Sequence, residues 1–580
     1  MTQRSWTIEP SYVDAFGHHR EVAAEDVARI AGFLGGSGEG RGDGEPAASR
    51  ARAFQPDFAV AGRRLWLPAV QLYAVRSRRN WGHGDFSDLR HLVELAAGLG
   101  AAGIGVNPLH VLPPGQTSPY SPSSRLFLNP LYIDLGAVPE FREIARFHAD
   151  VEALRATELV DYPRVAALKD AALRLAFDVF CSENNAARRL AFDLFRKERG
   201  DALERFAAFE TLRERHGAPW TQWAEEFHRP EPSMLAELRA SSPDMEFHEF
   251  VQWIADDQLR ACRDRARDLK LPVGLYLDLA VGVGPDGADS WAGQGALAPQ
   301  LVIGAPPDAW NPAGQNWGIA SFHPQNLIET DFAFFRETLR AVMRYAGAVR
   351  IDHALGLNRV FLIPTGLDAT HGTYVTLPFH AMLTVVAEES MALRCLVIGE
   401  DLGTVPAGVS ETLRERGVWS YRVGLFERTY DGAFRDPADY PADAIVTFTT
   451  HDLPTFTGWL KGRDLEVKRG LGIDAGEAAH DRGRILDALR ETLRAHGIPL
   501  GTEVSFADVT QFLARTPCRL LAVPLEDALG VADQINVPGT VTEYPNWMRR
   551  LPVDLEDLWE HENIQRLAAV LQAEGRAIDS

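Results

Sequence analysis

Cysteine is scarce. Cys181, Cys262, Cys395 and Cys518 are the only four in 580 residues, and no two form a CxxC pair. That spacing argues against a disulfide framework and a structural zinc site, and reads as scattered thiols of a reducing compartment. No run of 18 or more apolar residues occurs, so no ordinary membrane-spanning helix is expected. The opening stretch, MTQRSWTIEPSYVDAFGHHR, has no apolar core and no small-residue cleavage site, and the expected compartment is the cytoplasm. Positive charge is in deficit, 59 Lys and Arg against 80 Asp and Glu for a net −21, which disfavours a broad nucleic-acid or anionic-membrane surface. HExxH and Cys/His clusters at zinc spacing are missing, and PDGAD (285–289) lacks the further acids of a calcium loop and reads as a turn. Neither a phosphate loop ending in Lys-Ser/Thr nor a dinucleotide glycine fingerprint is present. No metal and no cofactor is therefore expected, and a nucleotide-dependent α/β enzyme is set aside.

What remains is a globular composition, 46% hydrophobic and 24% charged, long enough for more than one structural unit. Residues 1–60 read as a small N-terminal region: Val27, Ile30, Ala31 and Leu34 lie at helical spacing, and the Gly-rich 35–49 is a linker. From 61 to 580, short apolar runs alternate with helical patterns. The runs are 69–75, 103–108, 272–280, 348–354, 395–401, 421–426, 444–452 and 519–525. Runs apolar on both faces are those of buried parallel strands, and eight of them predict an α/β fold, a (β/α)8 TIM barrel. Two intervals, about 109–271 and about 456–518, exceed simple connections and predict helical insertions around the mouth of the barrel.

Three of the runs end in acids: VRID at Asp352, VIGED at Glu400 and Asp401, and TTHD at Asp452. C-terminal strand ends of such a barrel meet at one mouth, so the acids are expected to share a site rather than cap three separate helices. Arg350 and Asp352 fall on the same strand face, where the guanidinium is expected to keep Asp352 ionised; taken alone, the pair also reads as a structural ion pair. Glu400 follows apolar CLVIG, a setting expected to raise its pKa. One low and one raised carboxyl is what retaining glycoside chemistry uses. His451 beside Asp452 is suited to sugar hydroxyls, or to a helix cap. Trp310, Trp317 and Tyr120 sit among Pro, Gly, Asn and Ser, in segments read as loops, either to stack on sugar faces or to pin those loops.

The blocks VRIDH, IGEDLGTVP and TTHDLPT resemble the catalytic blocks of amylomaltases, the 4-α-glucanotransferases or disproportionating enzymes of glycoside hydrolase family 77. GIGVNPLH (103–110), SPYSPSSRLFLNPLYID (118–134), GLYLDLAVGV (274–283), GAPPD…GQNWG (304–318) and QINVPGTVTEYPNW (534–547) extend the resemblance, in order, from about 70 to 551. It implies transfer of an α-1,4-glucan segment between malto-oligosaccharides through a covalent glycosyl-enzyme. It implies Asp352 as nucleophile, Glu400 as acid/base and Asp452 as transition-state stabiliser. Arg350, Asp278, His451 and Tyr120 match residues around the sugar at the cleavage point. Ser118, Asp308, Gln315 and Trp317 match acceptor-side contacts. Ala309 departs from relatives that carry an aromatic there. The rivals are an α-glucan hydrolase on the same barrel and a glucan-binding scaffold without catalysis.

Overall fold

The computed structural model describes residues 6–14, 17–36, 51–183, 185–307, 314–473 and 479–578. The Gly-rich linker thus lies almost wholly outside the described residues.

Eight parallel strands close into a barrel: β1 (Leu65–Val70), β2 (Gly103–Val106), β3 (Gly274–Leu279), β4 (Ala348–Ile351), β5 (Leu396–Gly399), β6 (Trp419–Val423), β7 (Ala444–Thr447) and β8 (Leu520–Pro524). They neighbour one another in chain order, and β8 pairs with β1. Alternation sends one set of side chains into the lumen. Leu65, Leu67, Tyr276, Ala348, Leu396, Ile398, Trp419, Ile445, Leu520 and Ala522 form a lumenal core of their own. Phe58, from the short helix Asp57–Val60, belongs to the same cluster, edge-on to Trp419 at 6.2 Å. A second and larger core lies between the barrel and its helices.

Those helices are built from their sequences in an ordinary way. Helix Phe86–Gly98 starts at a capping box in which Asp85 and Asp88 satisfy each other's backbone N–H groups, and it buries Phe86, Leu89, Leu92, Val93 and Ala96 at helical spacing. Between β2 and β3 run Ile144–Arg155, Tyr162–Glu183, Ala186–His216 (broken at Gly200, φ 52°), Pro232–Ser241 and Asp244–Asp268. The interval from 109 also holds an antiparallel pair, His110–Val111 with Ser124–Leu128.

One sequence expectation is corrected here, and one sheet is added to it. The first strand is Leu65–Val70, not 69–75; Leu72–Ala74 is a 3₁₀ turn. Pro68 inside LWLPAV disguised the strand, since proline normally argues against one. A four-stranded antiparallel sheet was not anticipated. Its order is Thr373–Thr376, Arg359–Pro364, Leu297–Ala305, Gln315–Phe322, all in excursions after β3 and β4. The N-terminal region lies on this sheet. Ile8 bridges Val375, Glu9 pairs with Arg359 at 3.0 Å, and Tyr12 packs edge-on to Phe361 and Tyr374. Among the described residues, no helix is long and apolar enough to cross a membrane.

Candidate active site

Strand register sets the site. Arg350 on β4 stands opposite Asp278 on β3, and Ile351 stands opposite Gly399 on β5. One residue later the ladder still holds, with Asp352 N donating to Leu279 O at 3.1 Å and Glu400 N to Ile351 O at 3.0 Å. Asp352 and Glu400 therefore emerge side by side at the C-terminal ends of adjacent strands, where barrel mouths lie.

A chain of hydrogen bonds crosses this mouth. Arg350 Nη1 donates to both oxygens of Asp278, 2.9 Å each, and Nη2 reaches Asp352 Oδ1 at 2.8 Å. The guanidinium lies 5.4 Å from the centre of the Tyr421 ring. Tyr120 OH donates to Asp278 Oδ2 at 2.6 Å and stands 3.2 Å from His451 Nδ1. His451 Nε2 is 3.2 Å from Asp452 Oδ2, and Asn536 Nδ2 donates to Asp452 Oδ1 at 2.6 Å. His451 thus stands between the phenol oxygen of Tyr120 on its Nδ1 side and the carboxylate of Asp452 on its Nε2 side. Tyr120, His451 and Trp547 pack face to face or tilted, with centroids 4.6 to 5.4 Å apart.

The acids differ in their surroundings. Burial pushes Glu400 up to about 7, against Arg350 and the N–H groups of Leu402 (2.8 Å) and His353 (3.1 Å), with Asp352 adding to the rise. Burial also pushes Asp352 up, to about 6; Arg350 opposes this, but Asp278 presses the other way. The expectation that arginine holds Asp352 low is thus corrected: one guanidinium is divided between two carboxylates. Asp452 has its side chain half exposed; its partial desolvation is outweighed by the charge and hydrogen bond of His451 and by Asn536, which bring it down to about 2. His451 moves upward, its burial being overcome by Asp452. Asp401, the other acid of VIGED, turns to β6, accepting from Tyr421 N at 3.2 Å and lying 3.6 Å from Arg422.

The remaining expected residues divide. Ser118 shares the Tyr120 turn, its Oγ accepting Tyr120 N–H at 3.3 Å. Trp317 donates to Gln315 Oε1 at 3.1 Å and meets His353 edge-on at 5.2 Å, which joins it to the residue after Asp352. Both Gln315 and Trp317 lie on a strand rather than the expected loop. Asp308 and Trp310 fall outside the described residues. Sequence reasoning gave no role to His353, Tyr421, Asn536 or Trp547. His353 follows Asp352 in a left-handed turn (φ 46°), and burial lowers its pKa to about 4, so it is neutral. Asn536 and Trp547 come from the 534–547 block, already conspicuous in sequence, though nothing there shows that Asn536 reaches Asp452.

Comparisons with known proteins accord with this geometry. Residues 70–555 match the family described as 4-alpha-glucanotransferase. The 4-alpha-glucanotransferase of Mycobacterium tuberculosis is 38% identical over 575 residues, spanning 91% of this chain and 78% of that protein. That of Haemophilus influenzae is 36% identical, across 88% and 79%. The crystal structure of amylomaltase from Corynebacterium glutamicum superposes with a TM-score of 0.80 at 32% identity, covering 90% of this chain and 77% of its own. Amylomaltase from Streptococcus agalactiae in complex with acarbose shares the fold, with a TM-score of 0.75 at 21% identity over 89% of this chain and 100% of its own. A closed eight-stranded barrel, acids at its strand ends and matches along most of its length lead to one conclusion: the chain belongs to the 4-α-glucanotransferase family.

Proposed function

We propose that this 4-α-glucanotransferase passes an α-1,4-glucan segment between malto-oligosaccharides by two displacements at Asp352. In the first, the Asp352 carboxylate attacks the anomeric carbon. The bond to the leaving glucan breaks, and Glu400 gives its proton to the departing 4-oxygen. In the second, Glu400 takes the proton of an acceptor 4-hydroxyl, whose oxygen displaces Asp352 and restores the original configuration. Two inversions make the retention, and no proton is gained or lost over the cycle.

One observation carries this reading. Asp352 and Glu400 leave adjacent strands at the same level, two carboxyls side by side at the barrel mouth, as a nucleophile and an acid require. Asp452 and His451 present a carboxylate and an imidazole beside that pair, suited to hydroxyls next to a carbon that becomes oxocarbenium-like. Arg350, Asp278 and Tyr120 are assigned to the donor sugar. Ser118, Gln315 and Trp317 are assigned to the acceptor, as is Asp308. The four cysteines are free, which supports work in a reducing, cytoplasmic setting.

Rapid acid quench during turnover of maltotriose, followed by mass spectrometry of the peptide containing Asp352, tests the covalent step. A hexose-based mass increment on Asp352 is expected. Turnover that never labels Asp352, even with Glu400→Gln slowing breakdown, contradicts it.

A further inference from the structure

The residues assigned to the acceptor stand on Gln315–Phe322, the edge strand of the antiparallel sheet. Successive strand side chains face opposite ways. Gln315 and Trp317 share one face, joined at 3.1 Å. Asn316, between them, faces away, and its Nδ2 donates to Leu367 O at 3.2 Å. Its Oδ1 accepts Gly318 N–H at 2.9 Å, so the side chain is held at both ends. Gly314, just ahead, has φ 73° and lies so close to the same connection that a Cβ there would come within 2.7 Å of Ala369 Cβ. The edge therefore rests on 365–372, the connection between Arg359–Pro364 and Thr373–Thr376.

That connection is gripped from its other side by the N-terminal region. Its 3₁₀ turn, Ala369–His371, opens on Asp368, whose Oδ1 accepts Thr370 N–H at 2.9 Å. His371 Nδ1 lies 3.1 and 3.2 Å from the two carboxylate oxygens of Asp26. Just past the turn, Thr373 Oγ1 donates to Glu9 O at 2.6 Å. Asp26 belongs to helix Ala24–Phe33, which lies against Leu297–Ala305 and Arg359–Pro364. Acids are common in a first helical turn, and Glu25 there is exposed as such acids usually are. Asp26 is instead buried, alongside Ile30, although burying a carboxylate is expensive without partners. His371 is that partner, with Arg29 Nη1 at 3.3 Å.

We propose that Asp26 is a positioning residue for the acceptor wall: it fixes the turn Ala369–His371, the connection carrying that turn fixes Asn316, and Asn316 sets the face that carries Gln315 and Trp317. This rests on the assignment of that face to the acceptor in the proposed function. Asp352, Glu400, Asp278 and His451 stand at the ends of barrel strands and make no part of this chain of contacts. Its effect falls on the second displacement, in which an acceptor hydroxyl is captured in competition with water, and leaves the first alone. A pair that served only to hold the fold would affect both displacements alike.

The test separates the two half-reactions in the full chain. The donor is maltopentaose blocked at its non-reducing 4-hydroxyl, which can donate but not accept, and the acceptor is glucose. In a double displacement, kcat/KM for the donor reports formation of the glycosyl-enzyme and kcat/KM for glucose reports its capture. Asp26→Ala and His371→Ala are each expected to lower kcat/KM for glucose by about three- to tenfold, with the donor value within about twofold. His371→Asn, whose Nδ2 replaces the ring Nδ1, keeps the glucose value. In an Asn316→Ala background, Asp26→Ala has little further effect, because the path is already cut. Equal losses for donor and glucose, no loss for glucose in folded Asp26→Ala, or a full further loss in the Asn316→Ala background overturns the proposal. Trp317→Ala in the same assay separates this from the reading beneath it. If Trp317→Ala also spares glucose capture, the assignment of this face to the acceptor fails; if it lowers capture while Asp26→Ala does not, only the bracing fails.

Discussion

At the residue scale, the consequential fact is that Arg350 serves two carboxylates. Its bidentate bond goes to Asp278, and Asp352 receives a single nitrogen. Asp352 must be ionised to attack and Glu400 must be protonated to assist departure. Activity therefore rises as pH passes about 6 and falls as it passes about 7, a narrow bell in kcat/KM. Glu400→Gln removes the falling limb along with most of the rate. Asp352→Asn and Glu400→Gln each lose at least about 10³-fold in kcat/KM, read by product chromatography. Tyr120→Phe deletes the hydroxyl that joins Asp278 to His451, and a loss of about 10- to 100-fold is expected without unfolding. Asp352, Glu400, Asp452, Arg350, His451 and Tyr120 stand out in sequence because each sits in a short block with a recognisable neighbourhood, and the structure gathers them at one mouth. The direction of the Asp352 shift was not legible there, because it depends on Asp278, 74 positions away in the chain yet one strand over. Asn536 was missed for the same reason: its bond to Asp452 exists only once the loop after β8 folds over the mouth.

At the element scale, every run read as a barrel strand corresponds to one, since parallel strands buried on both faces are apolar throughout. Only β1 was misplaced, by its proline. The antiparallel sheet escaped because its hairpin, Leu297–Ala305 with Gln315–Phe322, carries two register shifts and a connection rich in Pro and Gly. That sheet gives Trp317 a rigid base, with its ring against His353. Sugar acceptors must compete with water at far higher concentration, and a fixed aromatic wall that positions the acceptor and excludes water gives them effective molarity. Trp317→Ala is expected to raise the ratio of reducing-end release to transfer. Lower activity at an unchanged ratio would reduce Trp317 to a binding contact.

At the scale of the whole molecule, the C-terminal segment holds the barrel at the end opposite the catalytic mouth. The fully buried Arg576, past helix Glu562–Ala573, donates to the carbonyls of Leu65, Ala514, Thr516 and Cys518. These lie at the start of β1 and just before β8, the seam where the barrel closes. Arg576→Ala removes a buried donor from all four carbonyls, of which only Ala514 and Thr516 also accept from the Arg64 side chain, at a cost of about 2–4 kcal/mol in stability. Calorimetry is expected to show a lower Tm while kcat at moderate temperature is unchanged; an unaltered Tm would mean that the seam does not depend on it. The reading of 35–49 as a linker rests on composition alone, and all but its first two residues lie outside the described ones. The contact of residues 6–14 with the sheet was not legible in sequence, because Ile8 and Tyr12 are short apolar marks whose partners, Val375, Phe361 and Tyr374, lie over 300 residues on.

The central claim, glucan transfer through Asp352 and Glu400, is met most directly by incubating the full chain with maltotriose alone and following products by chain length. The account predicts glucose together with a ladder of longer malto-oligosaccharides at constant total reducing ends, and no ladder from Asp352→Asn or Glu400→Gln. Shorter sugars only, with rising reducing ends, or a ladder that survives in Asp352→Asn, would contradict it.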